Sequence, residues 1–487
     1  MALLEASEAE PHSSWPALVA TRRLTILDEL GVPYGRSERS RPDLSWESLC
    51  GPRDGAAMHW FVGEGEEAAG WSLGSIQIWG PVAPEPVVAA LAASLAGSWT
   101  RAAPLLDASG VERSHLYRSD QGGTILPFDP DKLITSLRSE RYLRLQSSRG
   151  VSLKRLARRA YYAVRPAMPR RVQIATRRAY SRLQARTAFP RWPFEPTLHD
   201  LSDLVLQCVA NAGGAGVPYI APWPKGRSWA LVLTHDVETA AGRDAIEIVR
   251  AVEEAAGFRS SWNLVPERYR VPDDLVAHLK SVGCEVGVHG LRHDGRDLES
   301  LRTLERRLPE IRRWAARWGA SGFRSPATHR VWEWMPKLGF DYDTSYPDTD
   351  PYEPMAGGCC SWLPFFNGDM VELPITLQQD HTVFVILRRD ESVWLEKAAL
   401  LRARGGMALA LIHPDYMLES DRLRAYARLL DAFRDDPTVW KPLPGEVADW
   451  WRRRAATSLQ LIDGRWRACG PAENEVAIAF ADPAGDE

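Results

Sequence analysis

From residue 227 to about 445 the chain alternates short apolar runs with amphipathic stretches, and this rhythm limits the fold more than any other feature. WALVL (229–233), SSWNLV (260–265), CEVGVH (284–289) and MALALIH (407–413) read as buried strands. RDAIEIVRAVEEAAG places apolar residues at 245, 246, 249 and 252 and closes at Gly257. PDDLVAHLKSVG does the same at 275, 276, 279 and 282 and closes at Gly283. LRTLERRLPEIRRWAARWG (301–319) and SVWLEKAALLRARGG (392–406) read as further helices, and FRSP, MVELP and TVFVIL as further strands. Strands separated by helices pair in parallel, because a parallel neighbour needs a crossover. The expected class is therefore α/β, with a mainly parallel sheet that is open or closed into a barrel.

The remaining segments differ. Residues 1–150 mix strand-like MHWFVG and SIQIWG with a helix-like PEPVVAALAASLAGSW, an α+β domain without a catalytic constellation. Residues 151–226 form a basic helical segment and a linker. Between 151 and 195 twelve Lys and Arg stand against one acid, Glu195, in a chain whose net charge is only −3. That run is either a solvated linker packed on the acidic remainder or a contact for an anionic membrane or a lipid-linked glycan. LSDLVLQCVANAGG reads as a helix, and VPYIAPWPKGRS as a Pro/Gly-rich link. The segment 446–487 reads as a helix followed by short strands. Near-neutral charge gives no reason to expect nucleic acid. Six scattered Cys without a CxxC pair read as free thiols. The first residues lack a basic start followed by an apolar run, and no stretch of about 18 apolar residues occurs, so the expected compartment is the cytoplasm.

Chemistry in such folds gathers at the carboxyl ends of strands. Four apolar strands here end in polar groups: His235-Asp236-Val237-Glu238, His289 with His293 four residues on, Arg324-Ser325-Pro326, and His413-Pro414-Asp415. His-x3-His spaces two imidazoles about one helical turn apart, close enough to share an ion. Two histidines and a carboxylate with a position left open form a catalytic rather than a structural metal arrangement. On an extended chain Asp236 and Glu238 face one side and His235 and Val237 the other, which makes His235 a packed residue. His381 reads as a strand-start histidine, and Cys359-Cys360 as two small buried residues. Of Trp262, Trp332, Trp334 and Trp362, one or two are candidates to line a sugar subsite and the rest read as core.

Residues 227–415, about 40% of the chain, resemble the polysaccharide deacetylases, the NodB-homology domain of carbohydrate esterase family 4. THDVE (234–238), HGLRH (289–293), FRSP (323–326), YDTS (342–345) and LIH (411–413) stand in the family's order. The flanking GGCCSWLPF, VELPITLQQDHTVF and LIHPDY resemble bacterial members of exopolysaccharide or capsule pathways. The resemblance implies a distorted (β/α) barrel and a divalent-metal hydrolase, a zinc enzyme by expectation, that removes the N-acetyl group of an amino sugar in a polysaccharide or glycan precursor. It implies Asp236 as general base, Arg324 as its ion partner, and Glu238, His289 and His293 as metal ligands. It further implies the Ala327 N–H as an oxyanion donor, His413 as general acid and Asp343 as the group that orients His413. One position departs from the family: the metal-binding Asp that follows the base is Val237 here, and Glu238 is the replacement. A hydrolase of small non-sugar amides and a non-turnover binding protein of a polysaccharide assembly complex remain the alternative readings.

Overall fold

The computed structural model describes residues 18–37, 45–51, 56–146, 188–353 and 355–483, with a few positions between 169 and 180. The basic run therefore lies almost wholly outside the described residues. The chain divides into two compact units, one of which gathers residues 226–452 with 157–195, and the other 4–156, 196–225 and 453–487.

The first unit is built on a mainly parallel sheet. Its strands are β1 (Trp229–Val237), β2 (Ser260–Leu264), β3 (Glu285–Val288), β4 (Gly322–Phe323), β5 (Tyr342–Asp343), β6 (Phe365–Asn367), β7 (Met370–Glu372), β8 (Met407–Ile412) and β9 (Val439–Trp440). Their order is β6-β7-β5-β4-β3-β2-β1-β8, with β9 also on β1, and only β6–β7 is antiparallel. The sheet curls into a half-barrel, the incompletely closed form of the expected (β/α) barrel. Strand β1 lies between β2 and the edge strand β8 and is buried along its whole length. Trp229, Leu231, Leu233 and Val237 join a core with Ile246 and Val249 of the Ile246–Ala255 helix and Leu429 and Phe433 of the Ser420–Phe433 helix. Burying each such side chain contributes roughly 1.5–3 kcal/mol. Thr234 and Asp236 alternate onto the opposite face.

Two readings of the sequence are corrected. TVFVIL is not a strand: His381–Leu387 is a single wide helical segment, closed by Arg388 at φ 55°. The Asp380 carboxylate accepts the His381 N–H and starts the turn, and Thr382, Val383 and Ile386 bury one face. Tertiary burial here overrides the β preference of Val and Ile. VPYIAPWPKGRS is not a link either, since Val217–Pro224 is a strand paired antiparallel with Val476–Ala481.

The second unit carries a nine-stranded, mostly antiparallel sheet between residues 19 and 126. Its helices include Glu85–Ser94, Pro130–Arg138 and Thr197–Gly213. No helix among the described residues is long and apolar enough to cross a membrane.

Candidate active site

Polar groups from β1, β3, β4 and β8 converge at the carboxyl edge of the half-barrel. The segment after β3 forms a loop, not the helical turn its spacing suggested, with positive φ at Gly290 (62°) and His293 (53°). A Cβ on Gly290 would stand 2.5 Å from Asp297 Oδ2 and 2.6 Å from Pro326, so only glycine lets this loop pack on the Arg324-Ser325-Pro326 turn. Asp297 also accepts the Leu291 N–H at 3.1 Å and pairs with Arg307 at 2.6 Å, which ties the loop to the Leu301–Trp318 helix.

Glu238, His289 and His293 offer one ligand atom each within 4.8 Å of one another. Glu238 Oε1 lies 2.8 Å from Nε2 of His293 and 3.9 Å from Nε2 of His289. Both Nε2 atoms are buried without a hydrogen-bond partner. Ligands of a tetrahedral ion stand about 3–3.5 Å apart, so two orphaned imidazole nitrogens facing one carboxylate fit a divalent cation. His289 Nδ1 lies 3.0 Å from the Arg324 carbonyl, an acceptor only, which leaves the Nε2 lone pair toward the cluster. Burial pushes the Glu238 carboxyl up, but the neighbouring imidazoles of His289, His293 and His413 outweigh it and hold Glu238 well below its ordinary range. Burial also lowers His293, and Glu238 offsets only part of that. Val237 is fully buried in the apolar core and binds nothing. A carboxylate at that position would be a buried charge without a partner; the longer Glu238, one residue on, stands in the cluster with His289 and His293.

Asp236 sits beside the cluster, its Oδ2 3.7 Å from His289 Nε2. Arg324 Nη1 stands 3.3 Å and Asn263 Nδ2 3.1 Å from its Oδ1. Burial raises the Asp236 carboxyl, and Arg324, His289 and His413 bring it below its ordinary value. Arg324 is wholly buried and fully used: it also donates to Thr234 Oγ1 at 2.8 Å and to Thr344 O and Oγ1, both at 2.9 Å.

His413, at the end of β8, places Nε2 3.4 Å from Glu238 Oε1. Its orienting carboxylate is Asp380, not Asp343. Asp380 Oδ1 accepts from His413 Nδ1 at 2.7 Å, and Oδ2 from the His413 backbone N–H at 2.8 Å. Burial lowers His413, but the charge and hydrogen bond of Asp380, with Glu238, carry it well above the usual histidine range. Asp343 instead receives the Ser345 N–H at 2.8 Å and hydroxyl at 2.7 Å, and it faces Glu372 in the β5–β7 register. Burial and this carboxyl neighbour raise Glu372 well above its ordinary value, and its Oε2 has no donor. Ala327 follows Pro326 at φ 54°, a strained conformation for a residue with a Cβ.

His235 lies on the far face. Its Nε2 is 2.6 Å from Glu253, which also accepts from Tyr426 and Ser260, and its ring stacks on Trp262 at 4.0 Å. Trp262 and Trp362 are core, and Trp332 and Trp334 are partly buried against it. None of the six cysteines forms a disulfide. Asp380, Asn263 and Tyr416, whose ring stands edge-on to His413 at 5.5 Å, were not anticipated from the sequence. For Asp380 the available signal was an acid next to an apolar run, at the residue before His381.

No family model and no curated protein matches the chain. Solved structures similar to it include a protein assigned as a polysaccharide deacetylase from Mycobacterium smegmatis, at 19% identity and TM-score 0.40, covering 49% of this chain and 96% of that one. A PuuE allantoinase aligns at 17% identity and TM-score 0.39 over 48% of this chain and 93% of its own. Another protein assigned as a polysaccharide deacetylase, from Pseudomonas aeruginosa PAO1, aligns at 16% identity and TM-score 0.39 over 48% of this chain and 94% of its own.

Proposed function

We propose that the residue 226–452 unit is a metal-dependent deacetylase that hydrolyses the N-acetyl group of an amino sugar in a polysaccharide or glycan precursor. One observation carries the reading: a buried carboxylate held ionised by Arg324 and a buried histidine held protonated by Asp380 both border a two-histidine, one-carboxylate cluster. A pure binding site has no use for a separate base and acid at this spacing. A divalent ion, zinc in our reading, would polarise the amide carbonyl when held by Glu238, His289 and His293. Asp236 takes the proton of the attacking water, for which its depressed carboxyl is already ionised. The Ala327 N–H donates to the oxygen that gains charge. His413 gives its proton to the departing amine, and Asp380 keeps the ring in the orientation and charge state to do so.

In this proposal the enzyme works in the cytoplasm on an exopolysaccharide or capsule precursor, and the basic run at 151–195 contacts an anionic membrane or a lipid-linked substrate. The test is acetate release from a panel of N-acetylated saccharides and small amides, with and without chelator. Chelator-sensitive release from a saccharide supports the reading. Turnover of small amides alone would replace it.

A further inference from the structure

His293 Nδ1 lies 2.5 Å from Nη1 of Arg268, an exposed side chain that pairs with no carboxylate among the described residues. The adjacent Glu267 is engaged by Arg292 at 2.8 Å. A guanidinium offers only N–H donors and does not lose its proton. Nδ1 is therefore the acceptor, and the neutral ring carries its hydrogen on Nε2. Nε2 is the atom that faces Glu238 and His289, where a ligand must present a lone pair. His289 is arranged the opposite way, with Nδ1 on the Arg324 carbonyl.

We infer that Arg268 is a positioning residue that opposes metal uptake, because it holds His293 in the tautomer whose Nε2 cannot bind a cation. The inference rests on reading Glu238, His289 and His293 as a metal site. Ligation through Nε2 moves the ring hydrogen to Nδ1 by exchange with solvent, and the charge of the ring does not change. Nδ1–H then faces a group made only of donors, so the Arg268 bond is lost and the exposed side chain turns into water. Arg268 thus tunes how readily the cluster closes on its ion without touching the ion itself.

The test uses the full chain, stripped of metal and titrated with zinc in competition with a coloured chelator. Arg268→Leu should bind zinc about tenfold more tightly, the worth of about one hydrogen bond. Arg268→Gln, whose carbonyl oxygen can accept from Nδ1–H, should gain at least as much. Both gains should persist at high salt, whereas simple repulsion between cations would be screened away. Imidazole nitrogen NMR should show His293 with its hydrogen on Nε2 in the metal-free wild type and on Nδ1 once zinc is bound. Equal or weaker zinc binding by Arg268→Leu, gains that vanish at high salt, or an Nδ1–H ring in the metal-free wild type, would each overturn the inference while leaving the metal site intact. No zinc binding by any of the proteins would overturn both.

Discussion

Replacing Asp380 by asparagine removes the negative charge beside His413 while keeping the shape of the side chain. In the wild type Asp380 accepts from Nδ1 at 2.7 Å and from the backbone N–H at 2.8 Å, and both residues are buried. The asparagine oxygen can still take the backbone N–H, so the fold around β8 should survive. What is lost is one charge-assisted hydrogen bond, worth about 1.5–3 kcal/mol to the protonated ring. If that energy is spent in keeping the acid form ready, kcat should fall by a factor of roughly 10–150, since each 1.36 kcal/mol is tenfold. The sign with pH follows from the same contact. Asp380 raises His413 above the usual histidine range, so its removal lowers the pH at which the proton is lost. The alkaline limb of activity should therefore move to lower pH, with the acid limb unchanged. Metal content should not change, because Glu238, His289 and His293 remain. The assay is acetate release across pH on metal-quantified samples, with Asp343→Asn as the comparison. Asp343 bonds Ser345 and faces Glu372, so its variant should leave the alkaline limb in place. An Asp380→Asn enzyme with near-wild-type kcat and an unmoved limb, or a limb moved instead by Asp343→Asn, would refute the assignment.

Four further outcomes are expected. Asp236→Asn should lower kcat by about 10² to 10⁴ while retaining metal, as measured on the same samples; lost metal would make Asp236 a ligand. The double variant His289→Ala with His293→Ala should lose the ion by metal analysis, and full retention would disprove the ligand set. Glu372 is raised in the folded state, so the fold binds its proton more tightly and loses stability as pH climbs above the ordinary glutamate value. Glu372→Gln should therefore be more stable than wild type at pH 8, by about 1–3 kcal/mol of unfolding free energy, with a smaller gain at pH 5.5, and an equal gain at both would count against a shared proton. Arg158, Arg159 and Arg177 changed to glutamate should weaken binding to anionic vesicles and spare turnover of a small soluble substrate; Arg178 is left alone because it donates to the Val385 carbonyl.

The parallel sheet was legible because buried strands and capped helices leave periodic marks, and β1, β2, β3 and β8 appear where those marks lie. The grouping of Asp236 and Glu238 was legible because alternation on β1 alone sends them to one face and His235 to the other. The partner of His413 was not. Which of two acids reaches a histidine depends on how a chain more than thirty residues away folds back, and Asp343 and Asp380 look alike in sequence. The helical fate of TVFVIL was hidden for a related reason, since local preference favoured a strand and only the buried face of Val383 and Ile386 decides otherwise. Arg268 carries no motif at all; its contact with His293 exists only once two loops are placed.

The pairing of Val217–Pro224 with Val476–Ala481 has a practical consequence for anyone who shortens this chain. A truncated protein ended after residue 445 would retain every site residue, and the sequence alone recommends that cut. It would also strip the Val217–Pro224 strand of its partner and leave that backbone edge open to other molecules. The same topology orders synthesis on the ribosome: everything through Arg452 emerges before residue 476, so the Val217–Pro224 strand waits for its partner until the residue 226–452 unit has been made. Misassembly during expression should therefore start at that edge, and truncations there should aggregate while their site residues are all present.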